Sequence, residues 1–169
     1  MSKNLGGTIM ADIDVDDTLR ELDKGALPRW IADHLDDYQA SNGRQGHLWD
    51  ATGVGGSRAQ PCLLITTRGQ RTGKSYTHPL LYGVDGDNYL IVGSKGGADT
   101  HPSWYFNLLV DPKVVVQVGT DTFEARATLA EGTEHTRLWA TMVDVFPPYT
   151  AYQAKTSRQI PIFIIERQK

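Results

Sequence analysis

Apolar residues recur along most of this chain with the period of a β-strand. PCLLITT (61–67), YTHPLLYGV (76–84) and DNYLIVGS (87–94) are short runs rich in Tyr, Thr, Ile and Val, separated by short turns. Such residues suit a pleated, half-buried surface. Asp85-Gly86-Asp87, between the second and third runs, is a hairpin signal. KVVVQVG (113–119) and TFEARATLA (122–130) predict a further hairpin. In its second strand Phe123, Ala125, Ala127 and Leu129 alternate with polar residues, so one face is wet. IPIFIIE (160–166) reads as a closing strand.

Helical spacing occurs in three places. Within 28–41, Ile31, Leu35 and Tyr38 share one face, Pro28 suits the start and Asn42-Gly43 the stop. HPSWYFNLLV (101–110) predicts a short helix capped by Thr100 and ended at Asp111-Pro112. Thr133 is placed to cap EHTRLWATMVDVF (134–146), whose inner face is Leu138, Met142 and Val145. Residues 43–60 read as a glycine-rich loop.

About six strands in hairpins, with helices inserted, predict a mainly antiparallel barrel of the α+β class. The absence of βαβ alternation and of G-x-G-x-x-G argues against a Rossmann domain. A length of 169 residues suits one domain, placed at 28–169. Residues 1–27 are polar and acidic without periodicity, and partial disorder is expected there.

Apolar content of 40%, charged content of 22% and a net charge of −3 are ordinary for a soluble protein and give no footprint for nucleic acid. No run reaches the ~18 apolar residues of a membrane helix. The N-terminus lacks the apolar core of a signal peptide, so a cytoplasmic location is expected. Cys62, the single cysteine, sits in an apolar strand as a small hydrophobe. His34, His47, His78, His101 and His135 have no metal-ligand spacing, and no metal site is expected. His34 and His135 fall on predicted helix surfaces, and Asp85 and Asp87 are turn formers. No hydrolytic constellation stands out.

The chemistry concentrates in TTRGQRTGKSYTHPLLY (66–82). G-Q-R-T-G-K-S looks like a phosphate loop, but only three residues separate its glycines where four are needed. Pro79 follows too closely for Ser75 to open a helix. The segment is therefore a strand-to-strand turn carrying Arg68, Arg71 and Lys74. Either it is a solvated tip, or its glycines bring backbone N–H groups up to an anion. GSKGGAD (93–99) is either a loop leading into a helix or a site of close backbone approach, with Ser94 and Lys95 aimed at a ligand. Trp104, Tyr105 and Phe106 cluster on the next helix, and packing into the core is the expectation for Tyr105 and Phe106.

LLITTRGQRTGKSYTHPLLY, DGDNYLIVGSKGGADTHPSWYFNLLVDPKVVVQVG and FPPYTAYQAKTSRQIPIFIIE together resemble the deazaflavin-dependent nitroreductase and quinone reductase family. The resemblance covers roughly residues 28–167. It implies a split β-barrel of the FMN-binding-like type and an oxidoreductase that uses reduced coenzyme F420 as hydride donor to a quinone, enone or nitroaromatic acceptor. The alternatives are an FMN-dependent enzyme on the same barrel and a non-catalytic F420 carrier.

The resemblance further implies that Gln70, Arg71, Thr72 and Lys74 meet the coenzyme's phosphate and acidic tail. Tyr76, Thr77, His78, Pro79, Leu80 and Leu81 line its next stretch. Gly93, Ser94 and Lys95 approach the ring, and Trp104, Tyr105 and Asn107 border it. Tyr149, beside the coenzyme, and Ser94 are the implied proton donors, with Tyr152 and Phe146 on the acceptor side. Gln70 and Tyr76 stand where relatives often carry Arg. Phe146 and Leu81 stand where nitro-activating members often carry aromatic residues, Tyr in the first case. These departures favour a quinone or activated alkene over a bulky nitro compound. The implied assembly is a monomer or homodimer, with peripheral membrane contact where the quinone is a lipid.

Overall fold

A computed structural model describes residues 28–169. The acidic segment 1–27, and the disorder expected of it, lie outside the described residues. The elements are α1 (Arg29–Ala40), β1 (Leu48–Trp49), β2 (Gln60–Arg68), β3 (Ser75–Asp85), β4 (Asn88–Val92), α2 (Ser103–Val110), β5 (Lys113–Val118), β6 (Asp121–Leu129), α3 (Gly132–Val145), α4 (Tyr149–Ala154) and β7 (Ile162–Arg167). Short 3₁₀ turns occupy Thr52–Val54 and Lys95–Gly97.

The strands run in the order β1-β2-β3-β4-β7-β6-β5, and β2 also pairs with β5. Every pairing is antiparallel. Six strands, β2 to β7, therefore close into a barrel, which is the predicted split-barrel architecture. Closure leaves few unpaired strand edges. The β3–β4 and β5–β6 hairpins turn on glycines with positive φ, Gly86 at 61° and Gly119 at 60°.

Strand alternation divides the core into two layers. Leu63, Ile65, Ile91, Phe123 and Phe163 fill the barrel, and Trp104 and Leu108 of α2 pack with them. Leu90, Val92 and Ile162 face outward onto Leu138 and Met142 of α3 and Tyr149 of α4. The alternation in β6 is as expected: Phe123, Ala125 and Ala127 are buried while Glu124, Arg126 and Thr128 are exposed. No described helix is long and apolar enough to cross a membrane.

Several expectations need correction. α1 buries His34 and Tyr38 fully, whereas Ile31 and Leu35 are half-buried. The winning face is held by polar contacts as well as packing. His34 Nε2 lies 2.7 Å from Gly46 O. Tyr38 Oη donates to Cys62 O at 2.9 Å and accepts from Gly119 N at 2.8 Å. Burial pushes the Tyr38 phenol up to about 12. His135 is likewise buried, with Nε2 2.8 Å from Ile160 O, so neither histidine lies on a helix surface. Neither predicted threonine cap forms. α2 begins after Pro102 and α3 after Glu131, without side-chain caps. Lys95 Nζ instead donates to Thr100 Oγ1 at 3.1 Å. The glycine-rich stretch 43–60 contains β1, which pairs with the start of β2.

Candidate functional site

β2 and β3 pair from Cys62↔Leu81 to Arg68↔Ser75, so the basic stretch is the tip of a hairpin. Gly69 N donates to Lys74 O at 2.7 Å, and Gly73, at φ 72°, donates to Gly69 O at 2.8 Å. Thr72 Oγ1 lies 2.9 Å from Tyr76 Oη and accepts from Lys74 N at 3.2 Å. The buried Asn107 side chain fixes the tip to α2. Its Oδ1 accepts from Gln70 N at 3.0 Å, and its Nδ2 donates to Thr67 Oγ1 at 3.0 Å. The Arg68 guanidinium is 3.9 Å from Asp111. Among the described residues neither Arg71 nor Lys74 has a carboxylate partner. Two exposed cations thus stand on a rigid turn of an acidic chain.

β4 pairs with β3 only from Tyr82↔Ile91 to Asp85↔Asn88, and it ends at Val92. No described strand therefore runs beside residues 75–81 of β3 on that side. This edge is about 20 Å long at the usual rise per residue. The basic tip lies at one end of it. At the other, the chain leaves β4 through Gly93, Ser94 and Lys95.

Strand alternation splits the residues expected to line this edge. Leu80 packs inside the barrel and Leu81 on the outer layer. Tyr76 and His78 accordingly share the inner side, and Thr77 and Pro79 the outer. The six side chains therefore fall on two faces of one strand. His78 Nδ1 is buried without a hydrogen-bond partner among the described residues.

The outer side leads to an aromatic cluster. Phe146 and Tyr149 are buried, with rings 4.9 Å apart, and the half-buried Tyr152 ring lies 6.2 Å from each. Leu81 packs against the same cluster. Burial pushes the Tyr149 phenol far up, so it stays protonated at neutral pH. Ser94 is buried at 9% exposure, and Gly97, at φ 86°, lies against the Tyr152 backbone.

α2 distributes its residues differently from expectation. Trp104 is in the barrel core, edge-on to Phe163 at 5.9 Å. Phe106 is exposed rather than in the core. Tyr105 is half-buried and stacks on His101 at 3.9 Å. Trp104 and Asn107 therefore serve the core and the basic tip.

One residue that the sequence reading passed over stands out. Arg158, between α4 and β7, donates from Nε to Ala98 O at 2.7 Å, from Nη1 to Gly93 O at 3.2 Å and from Nη2 to Ser94 O at 2.9 Å. Its Nη1 also lies 3.1 Å from His101 Nδ1. The available signal was a lone arginine next to the apolar IPIFII run.

Burial holds His34, His47, His78 and His101 below the ordinary histidine value; at His101 the Arg158 charge adds to it. Depressed values favour the folded state above ~6.5, and that stability is lost as pH falls from there towards the folded values. The limiting slope is about 1.4 kcal/mol per pH unit for each proton the fold refuses. Urea unfolding should accordingly give a lower midpoint at about pH 5 than at about pH 7.5. An unchanged midpoint would show that these rings take up protons freely in the fold. No group of three metal-ligating side chains occurs among the described residues.

The model of the F420H(2)-dependent quinone reductase family matches residues 30–167. The F420H(2)-dependent quinone reductase Rv1261c of Mycobacterium tuberculosis is 37% identical over 154 residues, 84% of this chain and 99% of that protein. A solved F420-H2 dependent reductase, FDR-A, is 43% identical with a TM-score of 0.59, covering 63% of this chain and 94% of that one. A solved domain-swapped dimer is also 43% identical, with a TM-score of 0.59, covering 63% of this chain and 80% of that one. The chain belongs to the F420H(2)-dependent quinone reductase family.

Proposed function

We propose that this protein is an oxidoreductase that binds reduced coenzyme F420 along the β3 edge and passes its hydride to a small organic acceptor, a quinone or an activated alkene. The observation that carries this reading is the roughly 20 Å edge with two exposed cations, without carboxylate partners among the described residues, at one end and the Ser94 loop and aromatic cluster at the other. A flat ring on a long arm with an acidic tail fits those ends, and a single short phosphate arm does not span them. When bound, the coenzyme supplies the hydride; the chain binds, orients and manages charge.

Arg71 and Lys74 hold the acidic tail, with Thr72 and the Gln70 side chain beside them; the Gln70 N–H is already taken by Asn107. The outer side chains of β3, Pro79 and Leu81, lie under the ring, and the Gly93–Lys95 backbone borders it. An acceptor oxygen gains negative charge as hydride arrives and needs a donor or a proton. Tyr149 is kept neutral by burial and Ser94 bears a hydroxyl, so both are donors rather than bases. Phe146 and Tyr152 wall the acceptor side. The acceptor is a quinone or enone because Phe146 and Leu81 leave this wall with fewer polar and aromatic groups for a bulky nitro compound. A homodimer, the assembly of the domain-swapped neighbour, is compatible with the reading.

Two titrations and one assay test it. Tryptophan fluorescence should respond to oxidised F420 and not to FMN. Reduced F420 should regain its visible absorbance with a quinone only when the protein is present. Tight FMN binding without F420 binding would favour the flavin enzyme. Tight F420 binding with no acceptor from a broad panel would favour a carrier.

Arg71→Ala should weaken coenzyme binding by about 1.5–3 kcal/mol, the scale of a hydrogen bond to a charged group. Arg71→Lys should restore only part, because the fork is lost. An affinity change below about two-fold for Arg71→Ala would make the tip a solvated turn. Tyr149→Phe should keep the coenzyme Kd within a few-fold and cut turnover about ten-fold, the low side for positioned proton transfer. Wild-type turnover in that variant would make Tyr149 a packing residue.

A further inference from the structure

Arg158 spends its whole fork on one loop. Its Nε, Nη1 and Nη2 donate to the carbonyls of Ala98, Gly93 and Ser94, and its Nη1 also meets His101 Nδ1. Among the described residues it makes no salt bridge within 4.0 Å. Its own backbone is pinned, with Arg158 O accepting from Gln153 Nε2 at 2.7 Å and Arg158 N donating to Thr156 Oγ1 at 3.3 Å. A guanidinium held in this way is a fixed template for the peptide planes around it.

Those planes are trans, and no cis peptide occurs among the described residues. In a trans peptide the C=O and the N–H point in opposite directions. The Gly93 carbonyl is turned onto Arg158, so the Ser94 N–H in the same plane points away from it. The loop then runs right-handed at Ser94 (φ −74°, ψ −37°) and left-handed at Lys95 (φ 46°) and Gly96 (φ 64°, ψ 17°). A right-handed residue followed by a left-handed one gathers successive N–H groups into a concavity that suits an anion. The N–H groups of Ser94 and Gly96 flank that concavity. A cation on the carbonyl side also polarises the peptides, which strengthens their N–H groups as donors.

We propose that Arg158 is a positioning residue for hydride transfer: by holding the Gly93 carbonyl behind the loop, it presents the Ser94 N–H, at the rim of that concavity, to the negative charge carried by the reduced coenzyme ring. The inference rests on the coenzyme reading above and adds a residue that does not touch the coenzyme. Lys155 also holds the same loop, donating from Nζ to Gly96 O at 3.2 Å.

The role makes the bound redox states respond unequally. Oxidised and reduced F420 should be titrated separately into wild type, Arg158→Lys and Arg158→Ala, after circular dichroism has confirmed that each variant is folded. Arg158→Lys keeps the charge and loses the fork, so it also serves where Arg158→Ala is too unstable. The oxidised form should bind both variants within about three-fold of wild type, and the reduced form about ten-fold more weakly. That ratio corresponds to a fall of about 30 mV in the potential of the bound two-electron couple. Millimolar guanidinium should restore tighter binding of the reduced form to Arg158→Ala. Folded variants that keep the wild-type ratio of the two Kd values would overturn the proposal and leave the coenzyme reading standing. Wild type that binds neither form overturns both.

Discussion

Gly43→Ala should destabilise the protein by about 3–5 kcal/mol, the sum of overpacking against backbone and a left-handed non-glycine residue. A Cβ at Gly43 would lie 1.7 Å from Gly119 O and 2.2 Å from Gly119 C, at a φ of +81°. Both obstacles are backbone, so no side chain can swing aside. Gly43 N also donates to Tyr38 O at 2.8 Å and ends α1. Pushing the β5–β6 turn away would break the 2.8 Å bond from Gly119 N to Tyr38 Oη and loosen a fully buried tyrosine. Thermal unfolding should show a fall in Tm of at least about 6 °C for a domain of this size. A Tm within about 2 °C of wild type would mean that α1 and the barrel separate at little cost.

Gly97→Ala should act on the site as well as on stability. Its Cβ would lie 2.6 Å from Tyr152 O and 3.0 Å from Tyr152 Cα, at a φ of +86°. The contact joins the Ser94 loop to α4, the two elements proposed to border the coenzyme ring and the acceptor. Relief requires either the loop or α4 to retreat. The Lys155–Gly96 hydrogen bond lies across that gap, and on its helix side the Tyr152 ring packs on Phe146. A loss of about 2–4 kcal/mol in stability is expected from overpacking and strain. Turnover with a quinone should fall about ten-fold or more, since small misplacements at a reacting centre are costly. Coenzyme affinity should change less, because Arg71 and Lys74 are remote from the clash. Wild-type turnover in a folded Gly97→Ala protein would mean that loop and helix do not cooperate in the reaction.

The hairpins were legible because their information is local. Asp85-Gly86-Asp87 supplies the positive φ that its turn needs, and the alternation of β6 repeats every two residues. The inner face of α3 was legible for the same reason, since Leu138 and Met142 are one helical turn apart. The family motifs located the basic tip and the Ser94 loop because both are contiguous stretches. The inner face of α1 was misread because Ile31 and Leu35 looked more apolar than His34. His34 is buried against the carbonyl of Gly46, and Tyr38 against Cys62 and Gly119, partners that no helical period announces.

By itself, the sequence determined the six barrel strands, three of the four described α-helices, the antiparallel barrel and the two segments rich in candidate chemistry, because each rests on neighbours a few residues apart; the short strand Leu48–Trp49 and the helix Tyr149–Ala154 carried no such signal. Only the tertiary structure decided which side of β3 each candidate takes, that Trp104 belongs to the barrel core, and that Asn107 anchors the basic tip from 37 positions away. It also decided what Arg158 holds, since Gly93 and Arg158 are 65 positions apart. Such pairs meet only when β4 and β7 close side by side in the barrel, and no local pattern of residues encodes which carbonyls will then face a guanidinium.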